Sequence, residues 1–197
     1  MTDYVESERL VLRQFTAQDA DLLIGLDSDP AVMRFLTGGE PSMSDDEVRD
    51  EVIPSLLAAY ERWNGRFGLF AAHEKATGDF IGWFCLRPQR TGPLDEVELG
   101  YRLRRDAWGK GYATEGSHAL VDKGFSELGV NTVWGETMAL NLSSQRVMEK
   151  VGMSVVESIP TPDEMQSVEG AERGGFRYEV TRDQWEARRD RSTAGRA

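Results

Sequence analysis

Cysteine is nearly missing from this 197-residue chain. Its one thiol, Cys85, sits in the apolar run Phe80-Ile81-Gly82-Trp83-Phe84-Cys85-Leu86. No disulfide framework can form within the chain, and Cys85 reads as a small core residue. Histidine is almost as scarce: His73 and His118 fall in no motif and read as structural or exposed. No metal-ligand cluster is expected. No apolar stretch approaches the roughly 18 to 20 residues that cross a bilayer, so no membrane partner is expected. The opening Met1-Thr2-Asp3-Tyr4 is acidic and lacks an apolar h-region, so no signal peptide is expected. These absences favour a cytoplasmic location. Positive charge is also in deficit: 23 Lys and Arg against 34 Asp and Glu give a formal net charge of -11. A general nucleic-acid binder needs a basic face, so the balance argues against a nucleic-acid partner.

What is present suits one domain. A hydrophobic content of 40% in 197 residues supports a sizeable core. The charge is unevenly spread. Residues 1–60 hold thirteen acids and only four bases, Arg9, Arg13, Arg34 and Arg49. Residues 102–110 run the other way, with Arg102, Arg104, Arg105 and Lys110 against Asp106. A basic island in an acidic protein is consistent with an anion site, or with a solvated charged turn.

Periodicity then lays out the elements. Arg9 to Phe15 alternates as a strand. Thr16 and Asp19 start a helix through Leu26, and Asp29-Pro30 starts a short second one. Ser44 with Glu47 three residues on forms a capping box, opening a helix in which Pro54 predicts a kink or break. Strands are expected over 67–73 and 80–86, joined by the turn Lys75 to Asp79 into a hairpin, and again over 97–103. A glycine-rich turn leads into a helix over 114–128 that Gly129 ends. A β-rich segment over 130–138 follows, then a helix capped by Asn141 and stopped by Gly152. Strands over 153–159 and 176–181 flank an acidic loop, and 186–197 reads as a loose polar tail. Antiparallel hairpins beside a strand–loop–helix–strand unit make a mixed α/β sheet.

The chemistry centres on strand, then Trp108-Gly109-Lys110-Gly111-Tyr112-Ala113, then helix. A helix N-terminus has unpaired N–H groups and a partial positive charge, and glycines let backbone approach a pyrophosphate. The loop alone leaves the ligand open. No G-x-x-x-x-G-K-[ST] string occurs, and the dinucleotide fingerprint lacks its third glycine, since Thr114 stands there. A plain tight turn remains the bland alternative.

These residues resemble the GNAT superfamily of N-acetyltransferases, and within it the RimJ/RimL-like branch. The superfamily loop reads Q/R-x-x-G-x-G/A; Gly111 and Ala113 match, and Trp108 stands at the Q/R position. The resemblance extends over most of the chain. It takes in Ser7-Glu8-Arg9-Leu10-Val11-Leu12-Arg13, Asp29-Pro30-Ala31-Val32-Met33 and Glu98-Leu99-Gly100-Tyr101. It ends with Asn141-Leu142-Ser143-Ser144 and Glu149-Lys150-Val151-Gly152-Met153.

The resemblance implies a mixed α/β fold of the acyl-CoA N-acyltransferase type. Its mostly antiparallel sheet would be splayed at the CoA site, in a single domain over 7–185. It implies acetyl-CoA as co-substrate. The backbone of Trp108, Gly109, Lys110, Gly111, Tyr112, Ala113 and Thr114 would hold the pyrophosphate. Main-chain groups of Leu103 would hold the pantetheine arm and polarise the thioester carbonyl. Asn141 and Ser144 match the family's Asn-x-x-Ser. Glu98 would be the base that deprotonates the attacking amine. Met148 replaces the tyrosine that commonly protonates the thiolate, and Ser144 is the candidate substitute. The acceptor would be a primary amine, either a protein N-terminus such as that of a ribosomal protein or a small amine. Segments near 16–60 and 160–175 would border its groove, and their acids imply a cationic acceptor. A homodimer is compatible with this reading. A CoA-binding sensor or regulatory protein without catalysis is the alternative.

Overall fold

The structure is a computed structural model that describes residues 3–194; the side chains of Glu164 and of 192–194 lie outside the description. Eight strands are assigned: β1 (Asp3–Glu6), β2 (Leu10–Gln14), β3 (Gly68–Glu74), β4 (Phe80–Pro88), β5 (Glu96–Leu103), β6 (Thr132–Met138), β7 (Ser154–Ile159) and β8 (Gly175–Thr181). They form one sheet in the order β1-β2-β3-β4-β5-β6-β8-β7. Neighbours pair antiparallel except β5 and β6, which run parallel. The helices are α1 (Ala20–Asp27), α2 (Pro30–Met33), α3 (Asp45–Glu47), α4 (Ile53–Arg62), α5 (Tyr112–Glu127), α6 (Leu142–Val151) and α7 (Arg182–Ala194).

Strand alternation decides what covers each face. Leu10, Leu12, Phe70, Ala72, Phe84 and Leu99 point to the side where α5 lays Leu120, Val121 and Phe125. Ala71, Phe15 and Phe80 point to the other, against Leu23 and Leu26 of α1 and Ile53 of α4. Both faces of the sheet are therefore covered around β2, β3 and β4, whereas edge strand β7 is exposed.

Local signals set the helix ends. Ser44 and Glu47 form the expected reciprocal capping box. Pro54 does not break the helix. A wide π turn over Val48–Val52 runs directly into α4, so Pro54 sits where the ladder is already widened and its ring and missing N–H are accommodated without a break. Gly152 ends α6 at φ 101 and donates its N–H to the Met148 and Glu149 carbonyls.

The expected loose tail is corrected. Residues 186–194 belong to α7, and 195–197 lie outside the described residues. Polar composition hid the anchor: the Trp185 ring packs 5.4 Å from Phe125, and its indole N–H donates to Asp122 at 2.6 Å. Strand β1 is likewise an addition. It pairs with β2, and Tyr4 stacks on Phe70 at 3.7 Å.

One buried carboxylate ties β2 to the start of α1. Asp19 accepts both Arg13 guanidinium nitrogens at 2.8 and 2.9 Å, the Thr16 N–H at 2.7 Å and the Thr16 hydroxyl at 2.9 Å. Burial alone would raise the Asp19 carboxyl, but Arg13 and Thr16 together hold it down at about 2, below its ordinary 3.8. Because the folded value is depressed, its contribution is complete above about pH 4 and is lost as the pH falls toward 2. Asp19→Asn should destabilise the fold by about 2 to 3 kcal/mol at neutral pH, measured by urea unfolding, and flatten the acid limb of the stability profile.

Candidate active site

The site begins where two parallel strands part. The β5–β6 ladder runs through Glu96↔Thr132 and Val97↔Val133 and stops at Glu98↔Trp134. One residue further the backbones are still close: a Cβ on Gly135 would stand 2.9 Å from the Leu99 carbonyl oxygen. Beyond that point Tyr101, Arg102 and Leu103 face Glu136, Thr137 and Met138 across a cavity of about 950 Å³. Edges that part leave N–H and C=O groups without ladder partners. On the β4 side the ladder stays tight. Gly82, at φ 137, lies opposite Leu103, and a Cβ there would meet the Arg102 carbonyl oxygen at 2.2 Å. The Arg104 N–H donates to Ile81, so by antiparallel alternation Leu103 turns its backbone groups toward the gap. The Trp108 indole N–H takes the Leu103 carbonyl at 2.8 Å, leaving the Leu103 N–H.

The glycine loop closes one end. Gly109 and Gly111 adopt φ 73 and φ 85, left-handed values that glycine reaches without strain. Helix α5 then starts with no side chain capping it. Its ladder begins with the Glu115 N–H on the Gly111 carbonyl, so the N–H groups of Tyr112, Ala113 and Thr114 have no helical partner. Trp108, Gly109, Gly111, Tyr112, Ala113 and Thr114 line the cavity, whereas Lys110 does not. Arg104 and Arg105 spend their charge on Asp106 at 2.8 Å and Asp29 at 3.4 Å. The loop is clamped from β2 instead. Glu115 accepts the Arg9 backbone N–H and Nε, each at 2.7 Å, and the Ser7 hydroxyl at 2.7 Å. Arg9 also donates to the Lys110 carbonyl at 3.0 Å and lies 4.5 Å over the Tyr112 ring. An uncapped helix start beside unpaired strand edges fits a diphosphate carrying an extended amide-bearing arm.

Helix α6 brings the second cluster. The Asn141 side-chain oxygen Oδ1 caps it, accepting the Ser144 N–H at 3.2 Å and the Ser143 hydroxyl at 2.8 Å. The Ser144 Oγ lies 3.0 Å from the Tyr101 hydroxyl, whose single proton goes either to that oxygen or to the Ser144 carbonyl at 3.1 Å. Burial pushes the Tyr101 phenol up to about 12, against the pull of its Ser144 hydrogen bond, so it keeps its proton at neutral pH. Met148 is buried beneath Gly135 and offers no hydroxyl.

Glu98 lies on the opposite face of β5 from Tyr101, as period two requires. It lines the cavity and receives the Arg87 Nε at 2.9 Å. On the same face Arg102 binds Asp27 of α1 at 2.5 Å. Across the gap Glu136 lies 3.6 Å from Arg177, which stacks on Trp134 at 4.3 Å. Neither histidine lines the cavity. Cys85 is fully enclosed, and burial raises its thiol to about 12.

The structure therefore joins Glu98, Leu103, the loop from Trp108 to Thr114, Asn141 and Ser144 around one cavity, Lys110 excepted. It adds Tyr101 and Glu136. Tyr101 stood in the Glu98-to-Tyr101 motif, but only its contact with a residue 43 positions away gives it a task. The acidic groove expected from 16–60 and 160–175 is corrected. Among the described residues, no carboxylate of either segment lines the cavity. Several instead take arginine partners: Asp19 on Arg13, Asp21 on Arg49, Asp27 on Arg102 and Glu169 on Arg34.

Residues 9–154 match the family model described as the acetyltransferase (GNAT) domain. The chain belongs to the GNAT acetyltransferases. It is 33% identical over 193 residues to the FsC-acetyl coenzyme A-N(2)-transacetylase of Aspergillus fumigatus, covering 92% of this chain and 77% of that one. Among solved structures, a GNAT-family acetyltransferase from Bacillus anthracis superposes with a TM-score of 0.74 at 21% identity, over 91% and 98% of the two chains. RimL, a ribosomal L7/L12 alpha-N-protein acetyltransferase in complex with coenzyme A, superposes at 0.72 with 15% identity, over 89% and 95%. At such identities the structural likeness speaks for the fold.

The cap at α6 can be separated from any other task of Asn141. Asn141→Ala removes the accepting oxygen and should cost the acetyltransferase about 1 kcal/mol by thermal or urea unfolding. Asn141→Asp keeps that oxygen at a helix N-terminus and should leave stability within a few tenths of a kcal/mol.

Proposed function

We propose that this acetyltransferase moves the acetyl group of acetyl-CoA to a primary amine by direct attack, in the manner of the RimJ/RimL-like branch. The observation that carries the reading is the parting of β5 from β6 beside an uncapped helix start, with Glu98 in the same cavity. Acetyl-CoA supplies the activated acyl group. The N–H groups of Tyr112, Ala113 and Thr114 are the donors for its diphosphate, and the glycines at 109 and 111 keep side chains out of the way. The Leu103 N–H is the donor left for the arm or the acyl oxygen once Trp108 has taken the Leu103 carbonyl. Asn141 spends its oxygen on the cap, so its amide N–H groups are free to donate to the arm.

Glu98 takes the proton of the incoming amine, directly or through one water, because an ammonium has no lone pair with which to attack. Ser144 serves the departing sulfur from the opposite face of β5. Tyr101 orients it: when the phenol donates to the Ser144 Oγ, the serine's own proton is free to turn toward the sulfur. The acceptor is a primary amine, on a protein N-terminus or a small molecule. A chain with one enclosed thiol and, among the described residues, no membrane-length apolar helix suits work in the cytoplasm.

Glu98→Gln should lower kcat/KM by roughly 100-fold or more while leaving the acetyl-CoA Kd unchanged by calorimetry. Near-normal turnover of that variant between about pH 6 and pH 9 would assign the base elsewhere. Asn141→Asp should raise the CoA Kd by roughly tenfold, through lost amide donors and a negative charge beside an anionic ligand. Tyr101→Phe should lower kcat with KM for acetyl-CoA nearly unchanged; a loss confined to KM would remove Tyr101 from the proton path.

A further inference from the structure

The part of the cavity that α2 and the 160–174 loop build has a composition of its own. From α2 and the turn after it come Val32, Phe35 and Leu36; from the facing loop come Pro160, Pro162 and Met165. Leu36 is 39% exposed within this cavity. The charged side chain that these two walls contribute to the lining is Arg34, and its Nε and Nη2 both sit on Glu169 at 2.8 Å. That bidentate pair spans the two walls and cancels both charges. The carboxylates that line the cavity come from the strands instead: Glu98 on β5, which holds Arg87 at 2.9 Å, and Glu136 on β6, 3.6 Å from Arg177.

This arrangement suits one charge beside the strand carboxylates and none along the two walls. We infer that the acceptor's reactive amine is carried on an uncharged, apolar chain, which the Val32, Phe35, Leu36 and Met165 walls remove from water. The inference rests on the acetyl-transfer reading above and names the substrate class for that site. A polyamine or aminoglycoside would bring second and third cations against apolar walls and a neutralised arginine, where among the described residues no wall carboxylate lines the cavity to offset their desolvation. The net charge of -11 does not alter this, because among the described residues no carboxylate of either wall lines the cavity, and Asp27 and Glu169 are paired with arginines.

The test compares hexylamine with 1,6-diaminohexane, which has the same length and one further charge. Both are offered to the full chain with acetyl-CoA, and both are titrated calorimetrically into the chain saturated with CoA. Hexylamine should be favoured at least tenfold in kcat/KM and in Kd. From propylamine to hexylamine, kcat/KM should climb roughly fourfold per methylene until the groove is filled. Leu36→Asp, at an exposed position, should shift the preference at least tenfold toward the diamine. Equal use of the two amines, preference for the diamine or for spermidine, or no binding of hexylamine to the CoA complex overturns the inference. Failure of CoA itself to bind overturns instead the acetyl-transfer reading on which it rests.

Discussion

The architecture turns on two parallel neighbours that cannot stay paired. β5 and β6 hold a ladder for three residue pairs and then diverge. Every second residue past Glu98 and Trp134 turns toward the gap backbone groups that a closed sheet would have satisfied, the others staying paired with β4 and β8. The fold places this defect in its centre, between an antiparallel β1–β5 half and the β6–β8–β7 half. Both following helices start at its rim, α5 after the loop that leaves β5 and α6 after the turn that leaves β6. Their N-termini carry partial positive charge toward the same gap. The α6 start is capped by Asn141, whereas the α5 start has no side-chain cap, and that asymmetry sets apart the end suited to a diphosphate.

A second consequence follows from strand period. Glu98 and Tyr101 are three residues apart on β5, so they face opposite sides of the sheet. The carboxylate looks toward α1 and α2, and the phenol toward α6. A carboxylate and a hydroxyl pair are thus kept apart by the strand itself while lining one cavity. Gly135 lets β6 press close enough to β5 to fix where the separation begins.

Pairing takes up several of the acids near the cavity, though the chain keeps its net charge of -11. Arg13, Arg34, Arg49 and Arg102 each take a carboxylate of the N-terminal or 160–174 segments. These pairs connect elements far apart in sequence: Arg34 reaches Glu169 across 135 positions and Arg102 reaches Asp27 across 75. The exposed pairs, Arg34 with Glu169 and Arg49 with Asp21, add little stability but settle the local field, whereas Arg13–Asp19 and Arg102–Asp27 are largely buried. The groove's lining therefore carries apolar side chains even though the chain as a whole is strongly acidic.

Much of this protein was decided within short windows of the chain. The β3–β4 hairpin, the Ser44–Glu47 capping box, the glycine turn before α5 and the Asn141 and Gly152 ends of α6 depend on neighbours within a few residues. Periodicity and turn chemistry are local physics, so those elements were legible, and the motifs strung between them carried the family resemblance. Other features depended on tertiary structure because their partners are remote. The Arg9–Glu115 clamp spans 106 positions and the Tyr101–Ser144 contact 43, and α7 holds through Trp185 on Phe125 rather than through an apolar stripe. The direction of each wall carboxylate belongs to the same class. Composition counts charges, but only the folded chain decides whether a carboxylate meets an arginine or a groove.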